Sequence, residues 1–146
     1  MRLRLISLLA VIVVAVPAVA LASQAKTFKF EAYLLGKSEV MPKGAPAGKG
    51  TVNITITGTK LCWKFTKIKG IDKPRVAHIH KGKAGVSGPV VVPLGDKYAA
   101  KGCIVFPTAI LAPIEKSPKG YYVNVHTPKY PNGAIRGQLV VGMVHM

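Results

Sequence analysis

The chain reads as an all-β domain, an antiparallel β-sandwich or flattened barrel, on three observations. Apolar and polar residues alternate with period two in one segment after another. Glycine and proline, 15 and 11 residues of 146, punctuate the chain at strand-sized intervals. Heptads and fixed-period repeats are missing, and a single short stretch has helical character. Roughly eight short strands separated by Gly/Pro turns suit a two-layer or barrel-like β architecture better than any helical one.

Thr27 to Leu35 is the first predicted strand, with alternation in its front half. Gly36 to Gly50 follows as a loop, because Pro42, Gly44, Pro46 and Gly48 cannot propagate regular structure. Thr51 to Thr57 is the cleanest strand: Val52, Ile54 and Ile56 share one face, and Thr51, Asn53, Thr55 and Thr57 the other. Gly58-Thr59 is a two-residue hairpin turn into Lys60–Ile68, where Leu61, Trp63 and Phe65 face the core and Cys62 faces out. After a turn at Gly70–Pro74 comes Arg75–Gly82, which contains His78 and His80, and then a glycine loop from Gly82 to Gly88. Pro89–Leu94 is a short apolar strand whose prolines suit an edge or end position. Gly102–Phe106 is another; with Ile104 and Phe106 inward, Cys103 points outward as Cys62 does.

The helical stretch lies between Pro107 and Gly120. Thr108 is positioned to cap a short turn through Ile110-Leu111, and Pro113 is expected to end it early. Tyr121–Thr127 is a strand with His126 near its end, and Pro131-Asn132-Gly133 supplies the next turn. The last predicted strand, Ala134–Val141, runs without a break. Ile135, Gly137, Leu139 and Val141 share one face of it; Arg136 and Gln138 share the other.

The N-terminus is of a different kind. Arg2 and Arg4 precede an apolar run from Leu5 to Leu21, and Ala20-Leu21-Ala22 is a small-x-small cleavage site. This is the pattern of a secretory signal peptide over residues 1–22, leaving one mature domain over 23–146 with no membrane span. The expected location is secreted: extracellular, or in the cell envelope (periplasm or wall). Export also gives Cys62 and Cys103 a reading, since an even count in an oxidising compartment predicts one disulfide. Loss of Arg2 and Arg4 lowers the formal charge from +16 to +14. Such a charge favours anionic partners such as acidic envelope polymers or acidic proteins, and no motif points to nucleic acid.

Parity along the strands gathers a polar set. Ile79 and Val125 belong to the core face, so His78, His80 and His126 belong to the outer face, together with Asn124, Arg136 and Gln138. Three imidazoles suit copper or zinc, and histidine-x-histidine on one strand supplies two of them. The competing reading is a structural hydrogen-bonded network in which Glu39, from the long loop, pairs with Arg136. Catalysis by other routes has little support. Ser38, Ser87 and Ser117 lack a nucleophile-elbow context, and Glu31, Glu39, Asp72, Asp96 and Glu115 form no obvious carboxylate pair. Tyr33, Tyr98, Tyr121, Tyr122 and Tyr130 are candidates for a carbohydrate or peptide surface, with Tyr121 the best fit to the core.

Glu39-Val-Met-Pro42, the run His78-Ile-His80-Lys-Gly82 continued to Gly88-Pro89, and Tyr122-Val-Asn124-Val-His126-Thr127 leading to Ile135-Arg136-Gly137-Gln138 resemble the CHRD (chordin-type) domain of exported bacterial-type proteins. The resemblance spans nearly all of the mature chain. It implies an all-β Greek-key domain similar in outline to the copper/zinc superoxide dismutase barrel. It implies little about chemistry, although copper in the dismutases also sits outside the barrel on such a histidine pair. The histidine-rich zinc loop of the dismutases has no counterpart here. The sequence therefore carries two functional readings. The first is a non-catalytic exported interaction module. The second is a copper or zinc protein built on His78, His80 and His126, with superoxide-dismutase-like redox chemistry.

Overall fold

The computed structural model of the chain describes residues 25–40 and 42–142. The predicted signal peptide lies outside these residues, as do Met41 and His145. Among the described residues nine strands and one α-helix follow in order, with single 3-10 turns at Gly36–Ser38 and Pro118–Gly120: β1 (Thr27–Leu35), β2 (Lys49–Thr57), β3 (Lys60–Lys69), β4 (Val76–Lys81), β5 (Val90–Pro93), β6 (Lys101–Val105), α1 (Thr108–Lys116), β7 (Tyr121–His126), β8 (Ile135–Gln138) and β9 (Val140–Val141). The all-β, antiparallel class holds.

The strands form one continuous sheet in the order β5-β4-β7-β8-β1-β2-β3-β6, with β9 paired to β1. The sheet curls round a single core to which every strand except β6 and β9 gives a buried apolar residue. Burial follows the predicted alternation. Val52, Ile54 and Ile56 of β2 and Ile79 of β4 are fully buried, and so are Val123 and Val125 of β7. The strand with two flanking prolines, β5, sits at a sheet edge, where a missing N–H leaves no gap in a ladder. On the outer face Cys62 and Cys103 are register partners on β3 and β6 and are bonded as a disulfide, as predicted.

Two expectations fail. The helix does not stop before Pro113 but runs through it to Lys116, and Pro107 rather than Thr108 occupies the N-cap position, without a side-chain cap. Leu111 and Ile114 are fully buried in the core. Burying each is worth about 1.5–3 kcal/mol, which offsets the roughly 3 kcal/mol penalty of an interior proline. The last strand is not continuous either. The N–H of Leu139 turns to the carbonyl of Tyr121 at 3.0 Å, and β9 then pairs with β1. Parity restarts at that break, so Val141, expected on the core face, is exposed.

Candidate functional site: a covered polar face

The register assembles the predicted set on the outer face of three adjacent strands. His78 pairs with Asn124 and Asn124 with Arg136; His80 pairs with Tyr122 and Tyr122 with Gln138; Val76 pairs with His126. Directly opposed residues point the same way, so these side chains form one patch.

Much of that patch is closed to solvent, unlike an ordinary outer face, while His78, His126 and Gln138 at its margin are half-buried. Asn124, Arg136 and Tyr122 are 2–3% exposed and His80 is 9% exposed. The segment from Gly82 to Gly88 folds over it and offers its carbonyl oxygens. Arg136 donates to the oxygens of Lys83 and Val86 at 2.9 and 2.8 Å and to Gln138 Oε1 at 3.4 Å. Gln138 Nε2 donates to the oxygens of Gly82 and Lys119 at 2.8 and 2.9 Å. The guanidinium of Arg136 lies 3.3 Å above the ring of Tyr122, a cation–π contact, and the His80 ring stacks on the same tyrosine at 4.8 Å. The second cover is the loop after β1, anchored where Ala45 N–H donates to the Ala134 oxygen.

Glu39 enters with this second loop and is buried, but its partner is not the expected one. Asn124 Nδ2 donates to Glu39 Oε2 at 3.2 Å. Arg136 donates through Nη2 to loop carbonyls and reaches Glu39 only through charge. Burial raises the Glu39 pKa to about 7, against the opposing pull of Arg136 and of the Asn124 hydrogen bond. Gly133 permits this packing. It has a φ of +139°, and a Cβ there would stand 2.6 Å from Glu39 Oε1 and 2.7 Å from Asn124 Nδ2.

The three histidines converge. Ring centroids are 5.0 Å apart for His78–His126, 5.7 Å for His78–His80 and 6.1 Å for His80–His126. His126 Nδ1 donates to the Pro131 oxygen and His80 Nδ1 to the Gly88 oxygen, each at 2.9 Å. These bonds fix both rings as Nδ1–H tautomers with a bare Nε2. His126 Nε2 lies 3.2 Å from His78 Nδ1, while His80 Nε2 is buried with no hydrogen-bond partner. Burial depresses all three pKa values, that of His78 to about 4 with added repulsion from His126 and His80. All three rings therefore favour the neutral form more than a free imidazole does.

Parity placed the histidines, Asn124, Arg136 and Gln138 together. It missed the carbonyls of Lys83, Val86, Gly88 and Pro131, which carry no side-chain signature. Tyr122 has the parity of Asn124 and His126, yet nothing in the sequence marks it as the ring beneath both Arg136 and His80.

The comparisons with known proteins bear on family alone. The CHRD domain family model matches residues 30–139. No curated protein matches the chain. No solved structure does so either. The matched span runs from within β1 to just past the end of β8 and contains every residue of the covered face, and on that match the chain belongs to the CHRD domain family.

Proposed function

We propose that the chain is an exported, non-catalytic CHRD domain that binds anionic partners, acidic envelope polymers or acidic proteins, at the cell envelope or outside the cell. The observation that carries this reading is a basic groove around an exposed aromatic ring. Tyr33 is 62% exposed and stands between two adjoining concavities of about 420 and 390 Å³. Lys37 and Lys43 line the first, and Lys49, Lys67 and Lys69 line the second. An aromatic platform ringed by ammonium groups suits a polyanion with apolar ring faces, such as an acidic glycan. The rest of the surface is positive in balance, since every lysine from Lys26 to Lys129 is exposed against the exposed Asp72 and Asp96 and the half-buried Glu31 and Glu115.

Lys67 adds a second mark at this groove. Its φ is +54°, a left-handed backbone that disfavours a side chain, and it sits where the β2–β3 register shifts between Lys49 and Thr51. Export has the support of the N-terminal pattern, the disulfide and the family. Among the described residues no helix is long and apolar enough to cross a membrane.

Binding of the untagged mature protein to an anionic wall polymer, read across ionic strength, tests the proposal. Affinity is expected to fall as the Debye length shortens from about 30 to 8 Å, and Lys67→Glu with Lys69→Glu to weaken it about tenfold or more. Binding indifferent to both salt and charge reversal contradicts the reading. Intact mass of the exported protein is expected to put Ser23 first.

A further inference from the structure

We propose that His78, His80 and His126 form a three-imidazole site for one copper or zinc ion. The inference is independent of the basic groove and rests on how the rings are held.

A metal-bound histidine characteristically donates its second ring N–H to a carbonyl or carboxylate, which fixes the tautomer and the ring's aim. His80 and His126 already do this, to the Gly88 and Pro131 carbonyls. Each then presents Nε2 as a lone pair. For His126 that lone pair faces His78 Nδ1 at 3.2 Å. Two nitrogens bound to one tetrahedral ion at 2.0–2.1 Å stand about 3.3 Å apart, so this edge of the site already has its ligand-bound length. For His80 the lone pair is buried and unpartnered. An acceptor stripped of water with no donor is costly, and a bound cation removes that penalty. One ligand atom from each ring lies within 4.8 Å of the other two, so closing the triangle needs a small movement of side chains and no strand displacement. Without metal, His78 Nδ1 carries the proton that bridges to His126; on binding, that proton moves to Nε2 of the same ring.

The donor type selects the ion. Three neutral imidazoles suit zinc and copper, whereas calcium and magnesium require oxygen. The charge of Arg136 reaches His80 and opposes a bound cation, and two carbonyls and the face of Tyr122 offset part of it. Three protein ligands leave a coordination position open to water or to a small anion.

The test uses untagged mature protein, freed of metal and titrated with Zn²⁺ and Cu²⁺ by calorimetry. One equivalent of either ion is expected to bind. His78→Gln, His80→Gln and His126→Gln, each checked for fold by circular dichroism, are expected to weaken it by at least about 100-fold, more than the loss of an outer-shell partner does. Pulsed electron paramagnetic resonance of the wild-type Cu²⁺ complex reads the ligands without any variant, and three coupled imidazoles are expected. Absence of stoichiometric uptake overturns the proposal, as do undiminished uptake in folded variants or a copper spectrum with fewer than three imidazoles.

Discussion

One half of this sheet wears its outer face bare and the other covers it. On β2 and β3 the outward residues are Asn53, Thr55, Lys60 and Lys64, which are exposed or half-buried, and their polar groups are left to water. On β4, β7 and β8 the outward residues are as polar, but two loops close over them. The same alternation therefore yields a solvated surface in one half and a polar interior in the other. A polar interior must find partners within the protein. Here it nearly does: the buried side-chain atoms left without one, among the described residues, are Glu39 Oε1, His80 Nε2 and Asn124 Oδ1, all in the covered half. Burial has turned a surface into a site with spare bonding capacity.

The two halves are also held differently, and their strongest single ties make the largest predicted effects. In the open half, Cys62→Ser with Cys103→Ser removes a cross-link closing a 41-residue separation. Loop-closure entropy gives a loss of about 4 kcal/mol in urea-induced unfolding. In the covered half, Arg136→Ala leaves the Lys83 and Val86 carbonyls without their buried donor and strips the face of Tyr122. The expected loss is about 3 kcal/mol, with faster amide exchange through residues 82–88. In contrast, Lys64→Ala on the open half is expected to stay within about 0.5 kcal/mol of wild type. Equal losses at Arg136 and Lys64 erase the distinction between the halves.

A smaller effect reads the covered half through pH. The Glu39 pKa rises from 4.5 to about 7 on folding, so the folded state holds the proton more tightly than the unfolded state. The contribution is fully present below pH 4.5 and is lost as pH rises through 7. Glu39→Gln keeps a neutral group that still accepts from Asn124. Its stability relative to wild type is expected to improve between pH 5 and pH 8, by denaturation at both values. A gap that narrows in the wild type's favour at pH 8 contradicts a buried, proton-holding Glu39.

Strand positions were legible because they depend on neighbours two residues apart. Val52, Ile54 and Ile56 declare a face by themselves, and one slip in register would have reversed it. The disulfide was legible from the even cysteine count, with parity turning both cysteines outward, and the histidine set was legible by parity. The cover was not, because whether Gly82–Gly88 lies across β8 depends on Arg136 meeting two carbonyls more than forty residues away in sequence. Glu39 was matched to Arg136 by charge, whereas the fold brings it to Asn124. Pro113 misled for the opposite reason: a local rule lost to core burial of Leu111 and Ile114. The basic groove around Tyr33 gathers lysines from β2, β3 and the loop after β1, a grouping that only the curled sheet creates.

The central claim is that the covered face is preorganised, with the rings of His80 and His126 each held as the Nδ1–H tautomer with a bare Nε2. Long-range proton–nitrogen NMR of the imidazoles tests this most directly, in metal-free protein at pH 7. His80 and His126 are each expected to show a protonated Nδ1 and an unprotonated Nε2, as their bonds to Gly88 and Pro131 require. One equivalent of Zn²⁺ is expected to shift both Nε2 signals together with that of His78. Rings that average between tautomers, or that carry the proton on Nε2, contradict the account.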